Sequence, residues 1–206
     1  MTNQPRTAVV GHALLSFFPE IDASTREQVQ TALLFAQRAT DDVLADGLVE
    51  DGYGYYRNQL KSLGWDATPP PLAYAPDLLR CRMLDAALAQ IGAVTDPRMA
   101  EVTRFSIDKL QHSSKALLRF EKRSLERSAF QLLPCRVSQP GYVDLVLYHQ
   151  TLESADRCRG FLFFERVVTG ARADLVRFNP RLFEATYAAR VRERLTRALL
   201  EDVHEL

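Results

Sequence analysis

The sequence predicts an α+β fold: a helical N-terminal half, then a three- to four-stranded antiparallel sheet closed by a long C-terminal helix. Three observations carry this expectation. Apolar residues recur at helical spacing from Ser24 to about Leu125. From Ala129 the apolar period shortens to two, as on a strand. The last segment opens on Asn179-Pro180, a helix start, and carries Phe183, Tyr187, Val191, Leu195, Leu199 and Val203 as one stripe. The reading is one domain over residues 1–206, helical over about 22–127, with the sheet and C-terminal helix over about 128–206.

Residues 1–7 are polar, and Val9–Ile21 fits either a short helix face or an extended arm. Ser24 and Glu27 have the S-x-x-E spacing of a capping box, and Val29, Ala32, Leu33, Ala36, Thr40, Val43 and Leu44 mark the buried face of the helix that follows. A second helix begins after Gly52, with Tyr56, Leu60 and Leu63 on one side. Gly64 suits a left-handed stop, which would let Trp65 pack back on Leu60. Thr68-Pro69-Pro70-Pro71 reads as an extended strut. A third helix over Pro76–Ile91 and a fourth capped by Thr95 follow, broken at His112-Ser113-Ser114.

Phe130–Val137 is a strand candidate that Pro134 assigns to a sheet edge or a bulge. Tyr142–His149 alternates, and Phe161–Val168 is apolar on both faces, as expected of a central strand. Ala173–Phe178 completes the set, and Phe178 and Phe183 are spaced as a hydrophobic staple.

Composition narrows the function classes. Lysine plus arginine and aspartate plus glutamate balance at 26 each, against the basic surplus usual in a nucleic-acid binder. Three cysteines, Cys81, Cys135 and Cys158, form neither a disulfide framework nor a C-x-x-C pair. A secretory n-region and a bilayer-length apolar run are both absent from the sequence, so a cytoplasmic location is expected, with signal-independent export left open. The phosphate-loop, dinucleotide, zinc-helix and nucleophile-elbow motifs are missing, the four histidines are scattered, and neither cofactor nor metal is expected.

Three candidate sites remain. Cys158 lies between Arg157 and Arg159, whose guanidinium groups would favour a thiolate, making it a candidate reactive or acylated cysteine; a plain turn residue between strands is the simpler explanation. Asp144, His149 and Glu165 would form an acid–histidine cluster if their strands are neighbours. Tyr53, Tyr55 and Tyr56 offer an aromatic cradle for a ligand or partner, or only a helix start with rings packed and hydroxyls wet.

The LLFAQ run (Leu33–Gln37), Tyr56, the LGW stop (Leu63–Trp65) and the F-x-x-x-Y-x-x-x-V helix (Phe183–Val191) resemble a group of uncharacterised bacterial proteins. That resemblance implies no activity and no site residues. The expectation is therefore a non-enzymatic bacterial interaction module, with a protein partner or self-association and no nucleic acid. Two alternatives stand beside it. One is a secreted or injected factor meeting lipid through Val9–Ile21 or the C-terminal helix. The other is a small enzyme with its site near His149 and Glu165.

Overall fold

The computed structural model describes residues 4–68, 81–153, 158–166, 168 and 170–206. Pro69–Pro71 and Arg157 lie outside the described residues. Nine strands and seven helices are described, in the order β1 (Arg6–Val10), β2 (Ala13–Phe17), α1 (Ala23–Ala45), α2 (Gly52–Ser62), β3 (Trp65–Thr68), β4 (Cys81–Arg82), α3 (Met83–Val94), α4 (Pro97–His112), α5 (Ser114–Arg127), β5 (Ala129–Gln139), β6 (Tyr142–Thr151), β7 (Glu165–Arg166), β8 (Ala171–Phe178), α6 (Pro180–Thr186), α7 (Ala188–Asp202) and β9 (Val203–Glu205).

The expected three- to four-stranded antiparallel sheet is corrected to a seven-stranded mixed sheet, ordered β3-β8-β6-β5-β2-β1-β9. Its extra strands come from the two chain ends. Val9–Ile21 contributes the end of β1 and all of β2, a hairpin closed at Gly11-His12. The tail of the supposed long helix leaves as β9 and pairs with β1. β2 runs parallel to β5, so the N-terminal hairpin joins the middle of the sheet rather than preceding it.

Phe161–Val168 is not a central strand. Phe161–Phe163 forms a short 3-10 turn, and Glu165–Arg166 pairs with Cys81–Arg82 in a separate two-stranded ribbon. Its apolar run serves a turn instead: Phe161 fills the core between Phe120 and Phe130, with the Phe130 ring 5.2 Å away, while Phe164 is exposed. Pro134 sits in a central strand, not an edge. Pairing with β6 lapses at Leu133 and Pro134 while the register on either side is unchanged, so the missing N–H breaks no ladder bond there.

Helix ends also differ in detail. α1 is capped by Asp22, whose carboxylate accepts from the Thr25 N–H at 2.8 Å, not by the Ser24–Glu27 box. α4 is capped by Asp96 rather than Thr95. Asn179 caps α6 as expected and the Phe178–Phe183 staple closes at 5.6 Å, but the helix breaks at Tyr187 into α6 and α7. Gly64 takes φ +85°, and Trp65 starts β3, stacking on Phe178 at 4.4 Å.

The sheet lies between two helical layers. One face is covered by α1, α2, α6 and α7 over Ala13, Leu15, Phe17, Leu133, Cys135, Leu145, Leu147 and Val176. The other is covered by α3, α4 and α5 over Leu14, Phe130, Leu132, Val146, Tyr148 and Ala173. Alternate residues of each central strand serve opposite layers, which is why those strands are apolar almost throughout. The segments considered as lipid contacts are spent on this core: β1 and β2 are buried in it, as are Val191 and Leu195 of α7. Among the described residues no helix is long and apolar enough to cross a membrane.

Candidate functional site

Beneath the first helical layer, at the sheet end marked by the β1–β2 turn, the apolar pattern fails. Gln131 on β5 pairs in register with His149 on β6, which pairs with Arg172 on β8. His12, next to the β5-paired Ala13, extends this polar row into the hairpin turn. The row forms the floor of a cavity of about 480 Å³, roofed by Gln37, Thr40, Asp41 and Leu44 of α1 and by Tyr53 and Tyr56 of α2. Glu50, Asp51, Arg127, Ser128, Thr151 and Gly170 form its rim.

Backbone geometry shapes the cavity at three turns. Gly11 has φ +56°, and a side chain there would run into Gln37 Oε1. That close approach lets the Gln37 amide donate to the Val10 carbonyl at 3.3 Å. Gly170 has φ +67° and packs against Thr151 Oγ1. Ser128, at the end of α5, has φ 52°, a conformation that non-glycine residues adopt at a cost of about 1 kcal/mol or more.

Burial keeps both imidazoles neutral. It lowers the His12 pKa to about 3, helped by the nearby His149 and Arg127. It lowers the His149 pKa to about 4, helped by Arg172, with Asp51 pulling the other way. The Gln131 amide lies 3.4 Å from His149 Nδ1, at the long limit of a hydrogen bond. With Nδ1 accepting, the proton of neutral His149 sits on Nε2. Tyr56 lies beside Gln131, yet the Tyr56 hydroxyl and Gln131 Oε1 are both buried without a hydrogen-bond partner in the protein. On the rim, Arg127 is paired with Asp41 at 2.7 Å, and burial still pushes the Asp41 carboxyl up to about 6.

Tyr53 is held on every side. Its hydroxyl donates to Asp174 Oδ2 at 2.6 Å, and its ring lies 4.7 Å from the His149 ring. The Arg172 guanidinium carbon is 5.1 Å from the Tyr53 ring centre. Asp174 also receives Arg57 at 3.2 Å.

The structure divides the sequence-derived candidates. Tyr53 and Tyr56, three apart on α2, both line the cavity, whereas half-buried Tyr55 is not part of its lining. His149 is central to the cavity. Asp144 is not near it: five residues along β6 is about 17 Å and an odd step, which turns it to the opposite face. There Arg177 binds it in a forked pair at 2.8 and 3.2 Å. Glu165 lies in the β4–β7 ribbon, so Asp144, His149 and Glu165 form no cluster. Cys158 is half-buried beside Gly160, whose N–H is held by Glu121 at 2.7 Å. Cys135, fully buried, turns its thiol to the Leu133 carbonyl at 3.3 Å, and burial pushes its pKa up.

The sequence patterns single out none of His12, Gln131, Arg172 and Gln37 as site residues. The available signal was the interruption of apolar strands by polar residues: Gln131 within AFQLL and His149 after LVLY. Among the described residues no group of three or more His, Cys, Asp or Glu is placed to hold a metal ion. Comparison with known protein families, curated proteins and solved structures found no match. The site is therefore read from its own geometry.

Chemically, the lining offers hydrogen-bonding groups, two guanidinium groups and apolar contact. A general base works best with a pKa near the working pH, and these imidazoles sit well below neutrality. The two threonine hydroxyls of the lining donate to main-chain carbonyls: Thr40 to Ala36 at 2.8 Å and Thr151 to Gly170 at 3.5 Å.

Proposed function

We propose that this chain is a non-enzymatic binding module that takes a small organic molecule in the cavity under α1 and α2 and serves a protein partner. The observation that carries the reading is the polar floor: Gln131, His149 and His12 interrupt a sheet that is otherwise apolar, with buried hydrogen-bonding atoms left unpaired by the protein. Buried polar groups cost free energy unless satisfied, so a fold that keeps them beside a cavity suits a ligand that satisfies them. The volume falls in the range of ordinary ligand sites, ~300–1,000 Å³. The weak basicity of the imidazoles and the backbone engagement of the Thr40 and Thr151 hydroxyls favour binding over turnover.

The partner half of the proposal rests on Leu44 and Leu48, exposed at 42% and 70% where α1 ends beside the cavity mouth. A cytoplasmic setting belongs to the same proposal and agrees with the unbridged, buried thiol of Cys135.

The test is a thermal-shift screen of a metabolite-sized library, repeated on Thr151→Trp. Thr151 is an exposed strand-end residue facing the cavity, so an indole there fills the mouth without entering the core. Compounds that stabilise the wild type and bind Thr151→Trp at least tenfold more weakly support the reading. Hits that bind both forms equally, or an absence of hits, overturn it.

A further inference from the structure

The cavity has two guanidinium groups in its lining, and they are used differently. Arg127 is spent on Asp41. Arg172 lies against an aromatic ring instead, and among the described residues no carboxylate pairs with it. Asp174, two residues along the same strand face, is engaged by Arg57 and by the Tyr53 hydroxyl. A chain of contacts results: Asp174 fixes Tyr53, and the Tyr53 ring supports the Arg172 guanidinium. An arginine oriented in this way, with its hydrogen-bonding edge uncommitted, is prepared to receive a planar anion in a forked bond.

Resting on the reading of the cavity as a small-molecule site, we propose that its ligand is a small organic monocarboxylate, oriented by Arg172. The carboxylate meets the guanidinium at the mouth, and the organic body lies inward against Tyr56 and Leu152 over the Gln131–His149 floor. The neutral imidazoles supply hydrogen bonds and no counter-charge, so Arg172 is the one cation available to the ligand among the described lining residues. Glu50 and Asp51 stand at the same mouth and repel a second negative charge. Dicarboxylates and phosphates are thereby disfavoured. Tyr53 is a positioning residue: it acts through Arg172.

The experiment uses calorimetric titration with matched pairs: benzoate and benzamide, indole-3-acetate and indole-3-acetamide, hexanoate and hexanamide. Phthalate and inorganic phosphate test the charge limit. Each is measured on the wild type, Arg172→Gln, Arg172→Lys, Tyr53→Phe and Thr151→Trp, with folding checked by circular dichroism. At least one acid should bind tenfold or more tightly than its amide. That preference should vanish in Arg172→Gln, return in part in Arg172→Lys, and shrink in Tyr53→Phe.

Equal binding of acid and amide, or a preference that survives Arg172→Gln, overturns the assignment and leaves the cavity reading standing. Phthalate or phosphate binding as tightly as the best monoacid overturns the charge limit. If no compound distinguishes the wild type from Thr151→Trp, the cavity reading falls too.

Discussion

The two faces of the sheet meet the same strand ends and solve them in opposite ways. On the face covered by α3, α4 and α5, Phe130 and Tyr148 are fully buried, closed over by Phe161 and Phe120. One residue along each strand, on the other face, stand Gln131 and His149. Those residues are also buried, but beside a cavity, and their hydrogen-bonding capacity is only partly used. The backbone is shared, so the contrast lies in side-chain chemistry alone. One face shows what the fold needs at this position for stability. The other shows the polar burden it tolerates there beside a cavity.

The largest test of this contrast lies on the closed face. Phe130→Ala should cost roughly 3–5 kcal/mol, the range for removing a buried aromatic ring, because three neighbouring rings lose their packing partner. Urea unfolding measures it. Ligand affinity should be preserved in whatever fraction remains folded. A loss below about 1 kcal/mol would mean that the aromatic cluster relaxes freely and that the faces are less different than their packing indicates.

Acid exposes the open face. The folded protein keeps His149 neutral with a pKa of about 4, against 6.5 ordinarily, so the unfolded chain takes up the proton first as the pH falls. The stability that neutral His149 represents is whole above pH 6.5 and is lost between 6.5 and 4, on the order of 3 kcal/mol. His12 acts in the same direction down to about pH 3. Asp41 opposes them: with its carboxyl raised to about 6, the folded form takes the proton first, which favours folding as the pH falls from 6 towards 3.8. Unfolding free energies at several pH values from 7.5 to 4 should fall on acidification, with a shallower slope in His149→Gln. Equal slopes would mean that the His149 imidazole is not desolvated.

The same contrast explains what could be read in the sequence. Helices with local signals were legible: the α6 start at Asn179-Pro180, the Gly64 stop and the break at His112-Ser113 each depend on residues within a turn of one another. The strands that proved decisive lacked such signals. Val9–Ile21 shows no clear period because β1 and β2 are covered by helices on both sides, and a doubly covered strand has no alternation to detect. Phe161–Val168 imitated such a strand because a 3-10 turn can be equally buried. The cavity was partly visible as tyrosines and a histidine. Its assembly was not, since His12, Gln131, His149 and Arg172 come together only through the parallel β2–β5 pairing and the β5–β6–β8 register. Asp144 seemed a partner for His149 only while strand parity was ignored.

The finest test separates two tyrosines on one helix face. Tyr53→Phe removes a hydroxyl that donates to the Asp174 carboxylate at 2.6 Å, and should cost about 1.5–3 kcal/mol, as expected for a hydrogen bond to a charged group. Tyr56→Phe removes a hydroxyl that is buried without a partner. Its ring remains, 3% exposed in the core, and the desolvation penalty of the oxygen disappears. The change should therefore be neutral or stabilising, by up to about 1 kcal/mol, the reverse of the usual effect of removing a bonded hydroxyl. Chemical denaturation of both variants without ligand decides the sign. A clear loss in Tyr56→Phe would mean that its hydroxyl closes the short gap to Gln131 in solution. The polar floor would then satisfy itself, and the contrast between the faces would rest on the cavity's volume and rim charges alone.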